Sequence, residues 1–162
     1  MNRTALEKDT TTAKATLYMA IELSKASWKL AFSTGGQKVR TVAVHGGSVP
    51  STLRAIAQAK AKLRLEQDAR ALSCYEAGRD GFWIHRALTA AGVQNLMVDA
   101  ASIEVDRRER RAKTDRLDAT KLVQQLVRHD ERGDRLRAVR VPTRGSGHRA
   151  RGCADEIVNS AG

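Results

Sequence analysis

Four acidic residues fall where carboxylates could act together. Glu22 closes the apolar run LYMAIEL, Glu76 closes ARALSCYEA, and Asp115 and Asp118 stand three apart in KTDRLDA. On a helix, residues i and i+3 share a face, so the last two would point the same way. If the segments ending at Glu22 and Glu76 are neighbouring strands, all four carboxylates reach one point. Four like charges repel, so such a cluster calls for bound cations. Hard oxygen donors select Mg²⁺ or Mn²⁺. Two such ions, about 4 Å apart, can activate a nucleophile and stabilise a leaving oxygen in phosphodiester cleavage.

Taken singly, each acid has a plainer reading. Glu22 could meet only water or Lys25 at a strand end. Glu76, in YEAGRDG, and the Asp115/Asp118 pair could each sit at a helix start, where the dipole favours an acid. The specificity lies in all of them falling at element ends in one order.

The elements that must position them follow from patterning. LYMAIEL (Leu17 to Leu23) suits a buried central strand, SWKLAFS (Ser27 to Ser33) a second, and KVRTVAV (Lys38 to Val44) a third, with STGGQ as a turn. Short connections make these an antiparallel meander. HGGSVPSTLRAIAQAKAKLRL then reads as a helix capped by Ser48 or Ser51, with Leu53, Ile56, Ala57 and Leu63 on its apolar face. ARALSCYEA is a buried strand, GRDGFWIHRALTAAG a helix stopping at Gly92, and VQNLMVD a further strand. RLDATKLVQQLVRHDERG is the last helix, with Leu117, Leu122, Leu126 and Val127 near one face and Gly133 past its end. The expected class is α/β: a three-strand antiparallel meander followed by alternating helices and strands. Residues 1–16 read as a flexible arm, 17–143 as one domain, and 144–162 as a polar, glycine-rich tail with no core periodicity.

The length of 162 residues suffices for one domain with a real core. Lys plus Arg number 29 against 18 Asp plus Glu, a net charge of +11, and the pI is near 10.4. Such self-repulsion adds nothing to folding and points to a polyanionic partner, nucleic acid first. Arg107, Arg108, Arg110, Arg111, Lys113 and Arg116 crowd around the last acid pair. A solvated charge run is the bland account. The sharper one is phosphate neutralisation with counterion release and steep salt dependence. Nothing there reads base edges.

Other classes find no support. No apolar run approaches the ~20 residues of a membrane span, and no basic helix carries a bulky apolar face. MNRTALEKDTTTAKA has no signal-peptide core. Cys74 and Cys153 lie outside any CxxC or Cys/His cluster and read as reduced thiols of a cytoplasmic protein. His45, His85, His129 and His148 have no zinc-ligand spacing, and no GxxxxGK[ST] or GxGxxG stretch occurs. Trp28, Phe82 and Trp83 are assigned to the core, leaving too few aromatics for a single-strand stacking platform.

IELSKASWKLAF, CYEAGRDGFWIHRAL and KTDRLDATKL, in that order, resemble the N-terminal DEDD domain of insertion-sequence-110 family transposases, relatives of the Piv/MooV DNA invertases. The resemblance runs from about Leu17 to Thr143. It implies a RuvC-like, ribonuclease H-type fold. It also implies Mg²⁺-dependent DNA cleavage and strand exchange during transposition, guided in studied members by a bridge RNA and carried out by multimers. On the family pattern Glu76, Asp115 and Asp118 fall on the second, third and fourth acids, and Glu22 stands where most members have Asp. Glu is one methylene longer, displacing the carboxylate by about 1.5 Å unless a rotamer compensates. Family members continue into a second domain bearing a serine that attaches to DNA. The expectation for this chain is a truncated or frame-shifted product, out of frame past Thr143 and incapable of full recombination alone.

Two other classes remain open at this level. One is a non-catalytic nucleic-acid-binding remnant of a transposase. The other is an actin-like ATPase domain, which also begins with a three-strand meander. The latter wants a glycine in its first hairpin for phosphate approach, and IELSKASWKL has none.

Overall fold

The structure, a computed structural model, describes residues 15–78, 82–103 and 118–141. Five strands form one mixed sheet: β1 (Leu17–Glu22), β2 (Ser27–Ser33), β3 (Arg40–His45), β4 (Ala71–Glu76) and β5 (Gln94–Val98). Their spatial order is β3-β2-β1-β4-β5. β1 pairs antiparallel with β2, and β2 with β3, while β4 runs parallel to β1 and β5 parallel to β4. This is the expected meander followed by parallel strands, the sheet of a ribonuclease H-like fold. The sheet begins β3 two residues later than expected and ends it on His45.

Among the described residues, three helices cover the sheet: α1 (Val49–Lys62), α2 (Trp83–Ala90) and α3 (Ala119–Arg132). A 3₁₀ turn, Ala100–Ser102, follows β5 and carries no sequence pattern that foretold it. Alternation along each strand divides the core in two. Leu17, Met19 and Ile21 of β1 join Trp28, Leu30 and Phe32 of β2 and pack under Ala55, Ile56 and Ala59 of α1 and Ile84 and Leu88 of α2. Tyr18, Ala20, Ala31, Leu72 and Cys74 face the other way, onto Leu122, Val123, Leu126 and Val127 of α3. Each large apolar side chain buried here contributes about 1.5–3 kcal/mol, the main term holding the helices to the sheet.

Helix limits follow from caps. The Ser48 hydroxyl accepts from the Ser51 amide at 3.2 Å, and Pro50 occupies the first turn of α1. Gly133, at φ 73°, ends α3 in a left-handed turn that a side chain would strain. The expected start of α3 is corrected. Asp118 is not in the helix but caps it, with extended backbone (φ −71°, ψ 125°), so helix periodicity does not relate it to Asp115. Trp83 is also corrected. Ile84 and Leu88, four apart, take the inward face of α2, and Trp83 stays 44 % exposed, its ring 5.9 Å from that of buried Trp28.

The open edge beyond β5 is partly covered by residues 137–141. The Val139 amide donates to the Met97 carbonyl at 2.7 Å, and the Asp99 amide donates to the Arg137 carbonyl at 3.0 Å. The expected N-terminal arm and C-terminal tail fall almost wholly outside the described residues, and Cys153 lies there too.

Candidate active site

Strand alternation and register bring two of the four acids together. Tyr18 and Ala20 of β1, and Leu72 and Cys74 of β4, point to the α3 side, so Glu22 and Glu76 take that side by the same period of two. Ile21 pairs with Tyr75 in the parallel ladder, which puts Glu22 and Glu76 side by side one step further along. Neighbouring strands are about 4.8 Å apart, so both carboxylates reach one small region at the C-terminal end of the parallel strands. Glu22 is half-buried and Glu76 exposed.

α3 brings the third. The helix runs back along the sheet: Asp118 at its start lies near the Glu22 end, and Asp130 near its finish bonds Tyr18, at the opposite end of β1. One Asp118 oxygen accepts from the Thr120 amide at 3.2 Å and from Lys29 Nζ at 3.3 Å. Lys29 is the antiparallel partner of Glu22 and, by strand alternation, shares its face. Burial alone would raise the Asp118 pKa, but the Thr120 amide and Lys29 outweigh it and hold the carboxyl below its usual value. The acid also sits at the favourable end of the helix dipole.

A clamp at the far end fixes the angle of α3. Arg70 grips Asp130 with two hydrogen bonds of 2.7 and 3.0 Å, and the Tyr18 hydroxyl adds a third at 2.9 Å. Arg70 also donates through Nε to the Gln94 side chain at 2.8 Å. Burial, then the Asp130 carboxylate, pushes the Tyr18 hydroxyl up to about 12. With both ends tied, α3 cannot slide along the sheet without breaking a polar contact, so the position of Asp118 is set by both.

Lys29 is a member of this group that sequence reading passed over. Its signal was present: a cation in the second strand of a tight hairpin, opposite an acid that ends the first. Asp99, at the same end of β5, was also passed over, but its carboxylate is engaged by the Ala101 amide at 3.0 Å. Asp115 lies outside the described residues, as do Arg107, Arg108, Arg110, Arg111, Lys113 and Arg116. The loop between β1 and β2, Leu23 to Ala26, contains no glycine. It is packed against Gly46, where a Cβ would come within 2.5 Å of the Lys25 carbonyl oxygen.

The donor chemistry suits a hard divalent cation, since all three described acids offer carboxylate oxygens. Among the described residues, however, no three His, Cys, Asp or Glu side chains are grouped so as to hold a metal ion. In this arrangement Asp118 is neutralised by an ammonium group, and the two glutamates alone do not close a site.

The chain is 37 % identical over 132 residues to a Sinorhizobium fredii protein called "Putative transposase y4rJ". The match covers 78 % of this chain and 33 % of that protein, so the chain spans about a third of the length of its curated relative. No family model matches. Among the described residues, no helix is long and apolar enough to cross a membrane. The chain is a distant homologue of a transposase-like protein and carries a ribonuclease H-like mixed sheet.

Proposed function

We propose that this chain is the nuclease-like catalytic domain of a DNA transposase or recombinase of the insertion-sequence-110 type. Its reaction would be phosphodiester cleavage and strand transfer on DNA. The observation that carries the reading is the placement of Glu22 beside Glu76 on parallel neighbouring strands, with the Asp118-bearing start of α3 at the same end of the sheet. Asp115, three residues before Asp118, is the proposed fourth acid. A Mg²⁺ or Mn²⁺ ion bound there would supply nucleophile activation and charge stabilisation on the phosphate. Glu22 and Glu76 would hold such an ion from adjacent strands, with Asp118 as a third ligand from the start of α3.

The arginines of residues 107–116 would meet the phosphates, with a guide RNA as a second nucleic-acid partner and a multimer as the working form. A cytoplasmic, nucleoid-associated location follows from the same reading. Full recombination would need the serine-bearing domain that the family resemblance implies.

Calorimetric titration with Mn²⁺ tests the metal site. The unaltered chain should bind, and Glu76→Gln and Asp115→Ala should each weaken binding at least tenfold. Equal weak binding in all three would sink the metal-site reading. A second reading is a nucleic-acid-binding domain without catalysis, in which Asp118 would serve as the cap of α3 and the partner of Lys29. A failed titration would leave that reading standing.

A further inference from the structure

A second charged surface lies on the opposite face of the sheet. Between Glu22 and Glu66 the chain has 43 residues without a single acid, and eight of them are Lys or Arg. The fold does not put all eight together, since Lys29 pairs with Asp118 on the other face, but it brings Arg40, Arg54 and Lys62 to one side, because β3 is the outer strand of the sheet and α1 packs beside it. A groove of about 320 Å³ opens between the two. Arg40, Thr41, Gln58 and Lys62 supply its polar lining, over an apolar floor that includes Phe32 and Ala59. Arg54, Gln58 and Lys62 are spaced by four, so they form one stripe along α1.

The helix end does not oppose an anion as a bare C-terminus would. Lys60 turns its ammonium inward, donating to the Gln67 and Ala69 carbonyls at 2.7 Å each, and so adds positive charge where the dipole is negative. Arg40, Arg54 and Lys62 remain on the surface or at the groove. The stripe from Arg54 to Lys62 is about 12 Å long, three to four base-pair steps of about 3.4 Å.

The geometry points to this groove as a docking surface for the phosphate backbone of duplex DNA, separate from the carboxylate end. Gln58 adds a neutral donor to the two cations, a set that fits phosphate oxygens and contains nothing arranged to read bases. Arg40 pairs with Phe32, which lies opposite Met19 of β1, three positions from Glu22 and facing the other side of the sheet. A duplex held here would therefore lie on the face of the sheet opposite the acids. The choice of DNA as occupant rests on the function proposed above. The groove itself rests on charge and shape.

The test is fluorescence anisotropy with a 20-base-pair DNA duplex over a range of KCl concentrations. Arg40→Glu/Lys62→Glu should weaken binding at least tenfold and reduce the slope of log affinity against log salt by about 2, near 0.9 for each phosphate no longer neutralised. Arg132→Glu/Arg135→Glu, the same charge change on and just past α3, should weaken it less than threefold. Arg40→Ala/Lys62→Ala should give an intermediate loss, and thermal melts should show all variants folded. Equal losses in the two Glu pairs would reduce the effect to net charge and overturn the proposal. So would an unchanged slope, absent binding by the unaltered chain, or a loss seen with an RNA hairpin but not with DNA. Mn²⁺ titration of Arg40→Glu/Lys62→Glu should match the unaltered chain, so the groove and the carboxylate site fail independently.

Discussion

Asp118 has two separable jobs, and replacing it with Ala or with Asn pulls them apart. As the cap of α3 it accepts from the Thr120 amide, an interaction that costs about 1 kcal/mol when a cap becomes Ala. As the partner of Lys29 it belongs to an exposed pair, with the two side chains 46 % and 44 % exposed, which solvent screening limits to about 0.3 kcal/mol. Asp118→Ala should therefore lose about 1.3 kcal/mol by urea denaturation at pH 7. Asn caps as well as Asp, so Asp118→Asn should lose only about 0.3 kcal/mol. The sign with pH is fixed by the lowered pKa of this carboxyl. Its charge contributes stability above the unfolded carboxyl value of about 3.9, and that contribution is lost as pH falls through the lower folded value. The small gap between Asp and Asn should thus close in acid, while the gap to Ala should persist. Both replacements should weaken Mn²⁺ binding alike. An Asn variant as unstable as Ala would refute the capping argument, and one that kept Mn²⁺ affinity would remove Asp118 from the proposed ligands.

Two further outcomes follow from single contacts. Spectrophotometric titration of the phenols should find Tyr18 ionising near 12, and Asp130→Asn should bring it down towards 10 while leaving the burial contribution in place. Arg64 follows α1 with φ 57°, a left-handed conformation that side chains resist, so Arg64→Gly should stabilise the fold by about 0.5–1 kcal/mol in urea denaturation.

Much of the architecture could be read before any coordinates. The run LYMAIEL, the alternation in SWKLAFS and the spacing of Leu122, Leu126 and Val127 specify buried strands and an amphipathic helix through local period alone. The errors came where local pattern has two solutions. RLDATKL suits a helix start at Arg116 as well as at Ala119, and only the Asp118–Thr120 hydrogen bond chooses. GFWIHRAL is apolar on more than one side, so packing against the sheet decided that Ile84 enters and Trp83 does not.

The candidate site divides in the same way. Residue types and element ends single out Glu22, Glu76 and Asp118, because an acid closing an apolar strand or opening a helix is visible in one dimension. That Glu22 stands beside Glu76 depends on the parallel pairing of β1 with β4, a contact between residues more than fifty positions apart that no local period encodes. That Lys29 reaches Asp118 depends on β2 register and on the lie of α3, which the Arg70–Asp130–Tyr18 clamp holds from the other end. Residue order along the chain specifies which side chains carry charge and how each segment folds. Packing in three dimensions specifies which charges meet, because strand order and helix direction are set by burial of two separate cores.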